Sequence, residues 1–342
     1  MHDIQHCSSS HDADAPNAFS APCRVLLHAP WGSGDHYNGP ASFTYRLYGS
    51  ALPGEVEIDL VHGATNQASY DRFRSQTFVA AHSASGGSLV RSFLGQRRFI
   101  KRALEHQKEA LRHVDVLHAV SGFHLSMLPA HAAMLQGTPS VVWLTNARLE
   151  LASKGGLRGL LGLAERRQRM ARDLPAVVAM SHAMELELLE YEVDPSRIAR
   201  IPMGVDVDVY RPPSSNQERM EVCRVNGWRE LPTVMFSGRL SRRKRPHLLI
   251  EAIALARNSG VDVQAVLLGP FDEPSYQAEL LDLVRHHALE EVVHFNGFVP
   301  DVSPLLRGGS MFCLPSEQEG MPAALAEAMA SGLAPIVTDF SG

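Results

Sequence analysis

The chain reads as an α/β protein of two doubly wound domains, each built on a parallel sheet. Three observations predict this class. Its 342 residues amount to two domains of ordinary size, roughly 150 residues each. Short runs rich in Val, Leu and Ile alternate with helix-length amphipathic stretches, the pattern of βαβ units whose strands are buried on both faces. The alternation stops at a polar, Pro-bearing stretch, 211–232, and then starts again. The boundary is placed near residue 212, giving a tail at 1–22, a first domain at 23–212 and a second at 213–342.

Taken in order, the tail has three acids, no Lys or Arg, and scattered Ser and Pro, a composition that stays mobile. Strands of the first domain are expected at 24–28, 56–61, 76–80, 114–118, 140–144, 176–180 and 198–202, with helical patterns at 89–113 and 162–173. In the second domain strands are expected at 233–237, 263–268, 292–296, 310–314 and 334–338, with helices at 246–258 and 323–331. Residues 23–212 carry a net charge of +3 and 213–342 a net of −5.

Composition removes several classes. Hydrophobic residues are 45% and charged residues 20%, as in ordinary globular proteins. The net charge of −5 gives no pull toward nucleic acid. No window approaches the ~18 uncharged apolar residues that a membrane helix needs, and the N-terminus lacks the basic start and apolar centre of a signal peptide. Cys7, Cys23, Cys223 and Cys313 are far apart, without a C-x-x-C pair. They argue against a disulfide scaffold and a zinc site and fit a reducing cytoplasm.

In doubly wound sheets, ligands bind beyond the carboxyl ends of the strands, where loop amides and helix N-termini face the crevice. Three loops of the second half carry suitable residues. Ser237-Gly238-Arg239-Leu240-Ser241-Arg242-Arg243-Lys244 joins a strand to a helix. Arg supplies planar bidentate donation and Lys a mobile point charge, the two donations a diphosphate takes; Arg239 and Lys244 fit that pair or belong, as Arg242, Arg243 and Arg245 do, to a solvated basic loop. Pro315-Ser316-Glu317-Gln318-Glu319-Gly320-Met321-Pro322 leads into the helix bearing Glu327. Carboxylates such as Glu319 and Glu327 accept hydrogen bonds from the vicinal hydroxyls of a sugar or ribose. Gly269-Pro270-Phe271 follows another strand, as a close approach to a base or ribose or as a plain turn.

In the first half, the loop at 31–40 is Gly-rich, but a G-x-G-x-x-G fingerprint would need glycine at Tyr37, so hydride transfer fails. Neither a phosphate loop nor a G-x-S-x-G elbow is present, so the ATPase and serine-hydrolase readings lose their main support.

Taken together, Met203-Gly204-Val205-Asp206, Gly238-Arg239-Leu240 with Lys244, Asn296-Gly297-Phe298-Val299, and Pro315-Ser316 with Glu319-Gly320, Glu327-Ala328-Met329-Ala330 and Gly332 resemble the retaining glycosyltransferases of family 4 (GT4). The match is loose over 24–342 and close over 198–342. The resemblance implies the GT-B architecture, two Rossmann-like domains facing across a cleft. It further implies that Arg239 and Lys244 hold the diphosphate of a nucleotide-sugar donor, that Glu319 faces the donor sugar, and that Glu327 binds the ribose. Gly238, Gly269, Gly320, Met321 and, in the first-strand loop, Gly39 complete the expected donor site. No cofactor is expected beyond the nucleoside-diphosphate sugar itself, and no metal.

Two departures stand out. Where the family often carries a histidine near the reacting face of the sugar, this chain has Asn146, which bonds a hydroxyl but exchanges no proton near neutral pH. His118, at the end of the strand expected at 114–118, is the possible substitute, or simply a satisfied strand-end histidine. The chain also ends at 339–342, where the family continues into further helices, so the second domain is expected to be incomplete.

The resemblance implies retaining transfer to a glycan or lipid-linked acceptor, with same-face attack and the departing phosphate helping to take the acceptor proton. Two alternatives stay open: a metal-dependent transferase using Asp206-Val207-Asp208, and a non-catalytic nucleotide-sugar-binding relative. The bases Arg91, Arg97, Arg98, Lys101 and Arg102 interleave with Phe93, Leu94, Phe99 and Ile100, and Arg158, Arg166, Arg167, Arg169 and Arg172 repeat the mixture. Such helices dock on anionic lipid or form a solvated face over a core stripe. The expected location is the cytoplasm, with peripheral contact at the inner membrane face as an option.

Overall fold

The computed structural model describes residues 22–29, 56–62, 75–78, 89–148, 150–151 and 162–340, with the backbone alone for residue 62, 75–78 and 89–96. Gly39 and the loop around it lie outside the described residues, as do residues 1–21 of the tail and Arg158.

The first sheet holds β1 (Cys23–Ala29), β2 (Val56–His62), β3 (Ser75–Phe78), β4 (Val116–Val120), β5 (Ser140–Trp143), β6 (Ala176–Ala179) and β7 (Ile198–Arg200) in the order β3-β2-β1-β4-β5-β6-β7. Every pairing is parallel. Its helices among the described residues are α1 (Leu89–Ala110), α2 (His124–Leu135), α3 (Leu163–Asp173) and α4 (His182–Glu190). β4 starts two residues later than the apolar run suggests. Asp115 is used as a corner, its N–H donating to Arg24 O (2.8 Å) and its carboxylate accepting from Arg24 N (2.8 Å). His118 therefore sits inside the strand and not at its end.

The second sheet holds β8 (Thr233–Ser237), β9 (Gln264–Leu268), β10 (Val293–Gly297), β11 (Met311–Leu314) and β12 (Ala334–Val337) in the order β10-β9-β8-β11-β12, again all parallel. The polar, Pro-bearing stretch 211–232 contains α5 (Asn216–Val225). The reason is an N-cap: Ser215 accepts from the N–H of Glu218 at 3.1 Å, and Cys223 on the inner face enters the second core. The remaining helices are α6 (Pro246–Asn258), α7 (Pro274–His286), α8 (Ser303–Leu306) and α9 (Ala323–Ala330).

Each sheet has its own buried core, the first around Leu117, Met127 and Val142, the second around Phe236, Leu267 and Phe312. Strand order reverses between β1 and β4 in one sheet and between β8 and β11 in the other. Chain segments leave such neighbouring strands in opposite directions, and a crevice opens at their carboxyl ends. The loops after β8 and β11 are the two that carry the basic and acidic motifs.

Candidate active site

β8 ends at Ser237, and Gly238 turns the chain with φ +144°. Its N–H donates to Leu268 O at 2.8 Å, while Leu240 N–H donates to Pro270 O at 2.9 Å. The loops after β8 and β9 thus run together, and Gly269 (φ +144°) is packed so tightly that a Cβ would lie 2.0 Å from Gly238 O. The close approach at Gly269 is to the neighbouring loop.

A 3₁₀ turn at Arg242–Lys244 then directs Lys244 inward. Its Nζ lies 2.8 Å from Glu319 Oε1, beyond the end of β11. The two side chains are only 15% and 7% exposed. Arg243 reaches the other oxygen, Oε2, at 3.4 Å and donates to Gln318 O. Arg243 thus leaves the solvated role expected of it. Arg242 and Arg245 are held as well, by Glu279 and by Glu317 (3.3 Å).

These contacts set the ionisation of the pair. Burial alone would raise the Glu319 carboxyl, but Lys244 and Arg243 outweigh it and hold the group below the ordinary carboxylate range. At Lys244 burial dominates and pulls the ammonium down, against the attraction of Glu319.

The other expected residues fall in several places. Arg239 is half exposed and pairs with Asp272 at 3.3 Å. Glu327 is buried on α9, which ends as the sequence suggests, with Gly332 at φ +82°. Gly320 and Met321 meet the first domain. A Cβ on Gly320 would lie 2.3 Å from Thr145 O and 2.9 Å from Asn146 Cα; Met203 N–H donates to Met321 Sδ at 3.0 Å; and Gln318 Nε2 donates to Ala147 O at 2.8 Å. The loop bearing Glu319 therefore rests on the loop bearing Asn146. His118 is buried within β4, stacked on Trp143 at 5.5 Å, and burial lowers its imidazole to about 4.

The rival metal motif is engaged in a turn. Asp206 Oδ1 accepts from Asp208 N (3.0 Å) and Val209 N (3.2 Å), as the Gly-Val-Asp corner would. Among the described residues no three His, Cys, Asp or Glu side chains gather as metal ligands.

Sequence reasoning missed Glu150. It is 1% exposed and binds Thr145, Asn146 and Gly122 beside the Gly320 contact. A polar residue in the Asn146 loop is an ordinary surface residue by type, so only packing reveals it.

Among the basic residues of the first domain, Arg167 contacts His124 (3.1 Å), Arg172 pairs with Glu192 (2.7 Å) and Lys101 lies 3.9 Å from Glu105. This pairing gives the membrane expectation no support. No described helix is long and apolar enough to cross a membrane.

The fold and site thus define a protein of two parallel doubly wound domains with a charged constellation at the switch point of the second. Comparison with known families agrees: the family model described as Glycosyltransferase Family 4 matches residues 37–209, and Glycosyl transferases group 1 matches residues 223–342. The chain belongs to glycosyltransferase family 4.

It is 24% identical over 334 residues to a D-inositol 3-phosphate glycosyltransferase of Arthrobacter sp. (strain FB24), covering 91% of this chain and 76% of that protein. A match to an MMP alpha-(1->4)-mannosyltransferase of Mycolicibacterium hassiacum is 27% identical over 189 residues and spans 54% of this chain and 42% of that one. In fold the chain is similar to Anabaena Alr3699/HepE, solved in complex with UDP and glucose, at a TM-score of 0.71 and 18% identity over 93% of this chain and 81% of that one. It is also similar to sucrose-phosphate synthase from Thermosynechococcus elongatus, at a TM-score of 0.72 and 17% identity over 93% and 82%.

Proposed function

We propose that this glycosyltransferase moves a sugar from a nucleoside-diphosphate donor to a glycan or lipid-linked acceptor, keeps the anomeric configuration, and does so without a metal. The observation that carries the reading is the buried Lys244–Glu319 pair, set 2.8 Å apart where β8 and β11 part. An ammonium has three N–H donors, so Lys244 can keep Glu319 and still donate to a diphosphate. Arg239, on the same loop, adds a planar donor. As the glycosidic bond breaks, the leaving diphosphate gains charge, and fixed cations in a shielded site stabilise it. Glu319 accepts from sugar hydroxyls and Glu327 from the ribose diol. A fold neighbour holding UDP and glucose supports a nucleotide-sugar donor.

The side chains proposed here include no obvious enzyme nucleophile. Same-face attack, with the departing phosphate helping to take the acceptor proton, fits the side chains present. Contact between the Glu319 and Asn146 loops would exclude water and limit hydrolysis. The test is a screen of nucleotide sugars for nucleoside-diphosphate release, with NMR of the product's anomeric centre. Retention with one donor class is expected; inversion would reject this mechanism.

A further inference from the structure

Glu150 carries a function of its own. Its Oε2 accepts from the N–H of Gly122 at 2.6 Å and of Thr145 at 3.2 Å. Its Oε1 accepts from the Thr145 hydroxyl and, at 3.4 Å, from the Asn146 amide nitrogen. Gly122 follows β4 and Thr145 follows β5, so one carboxylate joins the loops leaving two adjacent strands. A Cβ on Gly122 would lie 2.6 Å from Leu144 Cδ2 and 3.0 Å from Glu150 Oε2, which makes glycine the residue that lets the carboxylate in. The joined edge then receives the other domain, through Gly320 against Thr145 O and Gln318 on Ala147 O.

A carboxylate only accepts hydrogen bonds. The Thr145 hydroxyl, which donates to Glu150 Oε1, in turn accepts from the Asn146 amide nitrogen at 3.1 Å, so Glu150 and Thr145 together hold that nitrogen inward. Burial raises the Glu150 carboxyl against the hydrogen bonds from Thr145, Gly122 and Asn146, so the residue is held there at a cost that an exposed loop acid would not carry.

We propose that Glu150 is a positioning residue: its buried carboxylate fuses the loops after β4 and β5, orients the Asn146 amide, and seats the loop that carries Glu319. The role rests on the transfer function proposed above, yet its test can be read without activity.

The experiment is hydrogen–deuterium exchange on the full chain with Glu150→Ala and Glu150→Gln, paired with kinetics. Exchange should quicken by about tenfold in 121–123, 144–148 and 317–322 for the alanine variant and less for glutamine, which keeps an acceptor for the two backbone amides. Nucleoside-diphosphate affinity should stay within about twofold, because Arg239 and Lys244, the proposed diphosphate donors, lie on the loop after β8 and outside 317–322, while kcat falls by about tenfold or more through lost alignment. Faster exchange confined to 121–148, or an unchanged kcat in an active enzyme, overturns the proposal. If the wild type transfers no sugar from any donor, the functional reading fails, and exchange at 317–322 alone decides whether Glu150 seats that loop.

Discussion

Lys244 and Glu319 stand 75 residues apart in the chain and 2.8 Å apart in space, joining the loop after β8 to the loop after β11. Removing one partner of such a buried pair strands the other charge. Glu319→Gln should cost about 3 kcal/mol of stability and lower transfer by ~100-fold. The double replacement Lys244→Met with Glu319→Leu should regain most of the stability and none of the activity. Thermal unfolding beside a transfer assay distinguishes the two effects; a stable but inactive Glu319→Gln would show the pair to be chemical only.

The same pair has a pH signature. A carboxyl held low in the folded state contributes stability above its unfolded pKa of about 4.3 and loses it as pH falls through the depressed folded value. The stability gap between wild type and Glu319→Gln should therefore be widest near neutral pH and close in acid. Melting curves of both proteins across that range measure it, and a gap independent of pH would contradict the pairing.

His118 supplies a second pH test. With its imidazole lowered to about 4 by burial, it stays neutral through roughly pH 5 to 8. Wild type and His118→Gln should share the shape of their pH–rate profiles. A step near neutral pH that vanishes in the variant would restore His118 as a proton carrier.

Glycine tests the geometry. Gly320→Ala puts a Cβ 2.3 Å from Thr145 O and 2.5 Å from Met184 Cε, so the Glu319 loop must lift from the first domain. Turnover should fall about tenfold or more, with an overpacking cost of about 1 to 3 kcal/mol. A fully active Gly320→Ala would show that the contact between loops is dispensable.

Metal independence is tested with chelator. Activity should persist in EDTA, since Asp206 already serves the amides of Asp208 and Val209. Loss in EDTA, restored by a divalent cation, would return the D-x-D reading.

The alternation of apolar runs made both sheets legible, because parallel strands buried on two faces leave continuous Val, Leu and Ile runs. Boundaries were less legible where one polar residue took a local job, as Asp115 does in moving the start of β4 to Val116 and Ser215 does in starting α5. Lys244 and Glu319 could be named from their loops, but not their contact, which depends on strand order. Arg243 and Glu150 were hidden for the same reason. A basic loop residue and an acidic one look solvated until the fold brings Glu319 to the first and the Thr145 loop to the second.

The central claim is a nucleotide-sugar site built on the second sheet. The most direct measurement is nucleoside-diphosphate release from a panel of nucleotide sugars by wild type and Lys244→Ala, with calorimetric binding of the donor. Release from one donor class, abolished together with tight binding in the variant, is the predicted result. Unchanged binding and turnover in Lys244→Ala would contradict it.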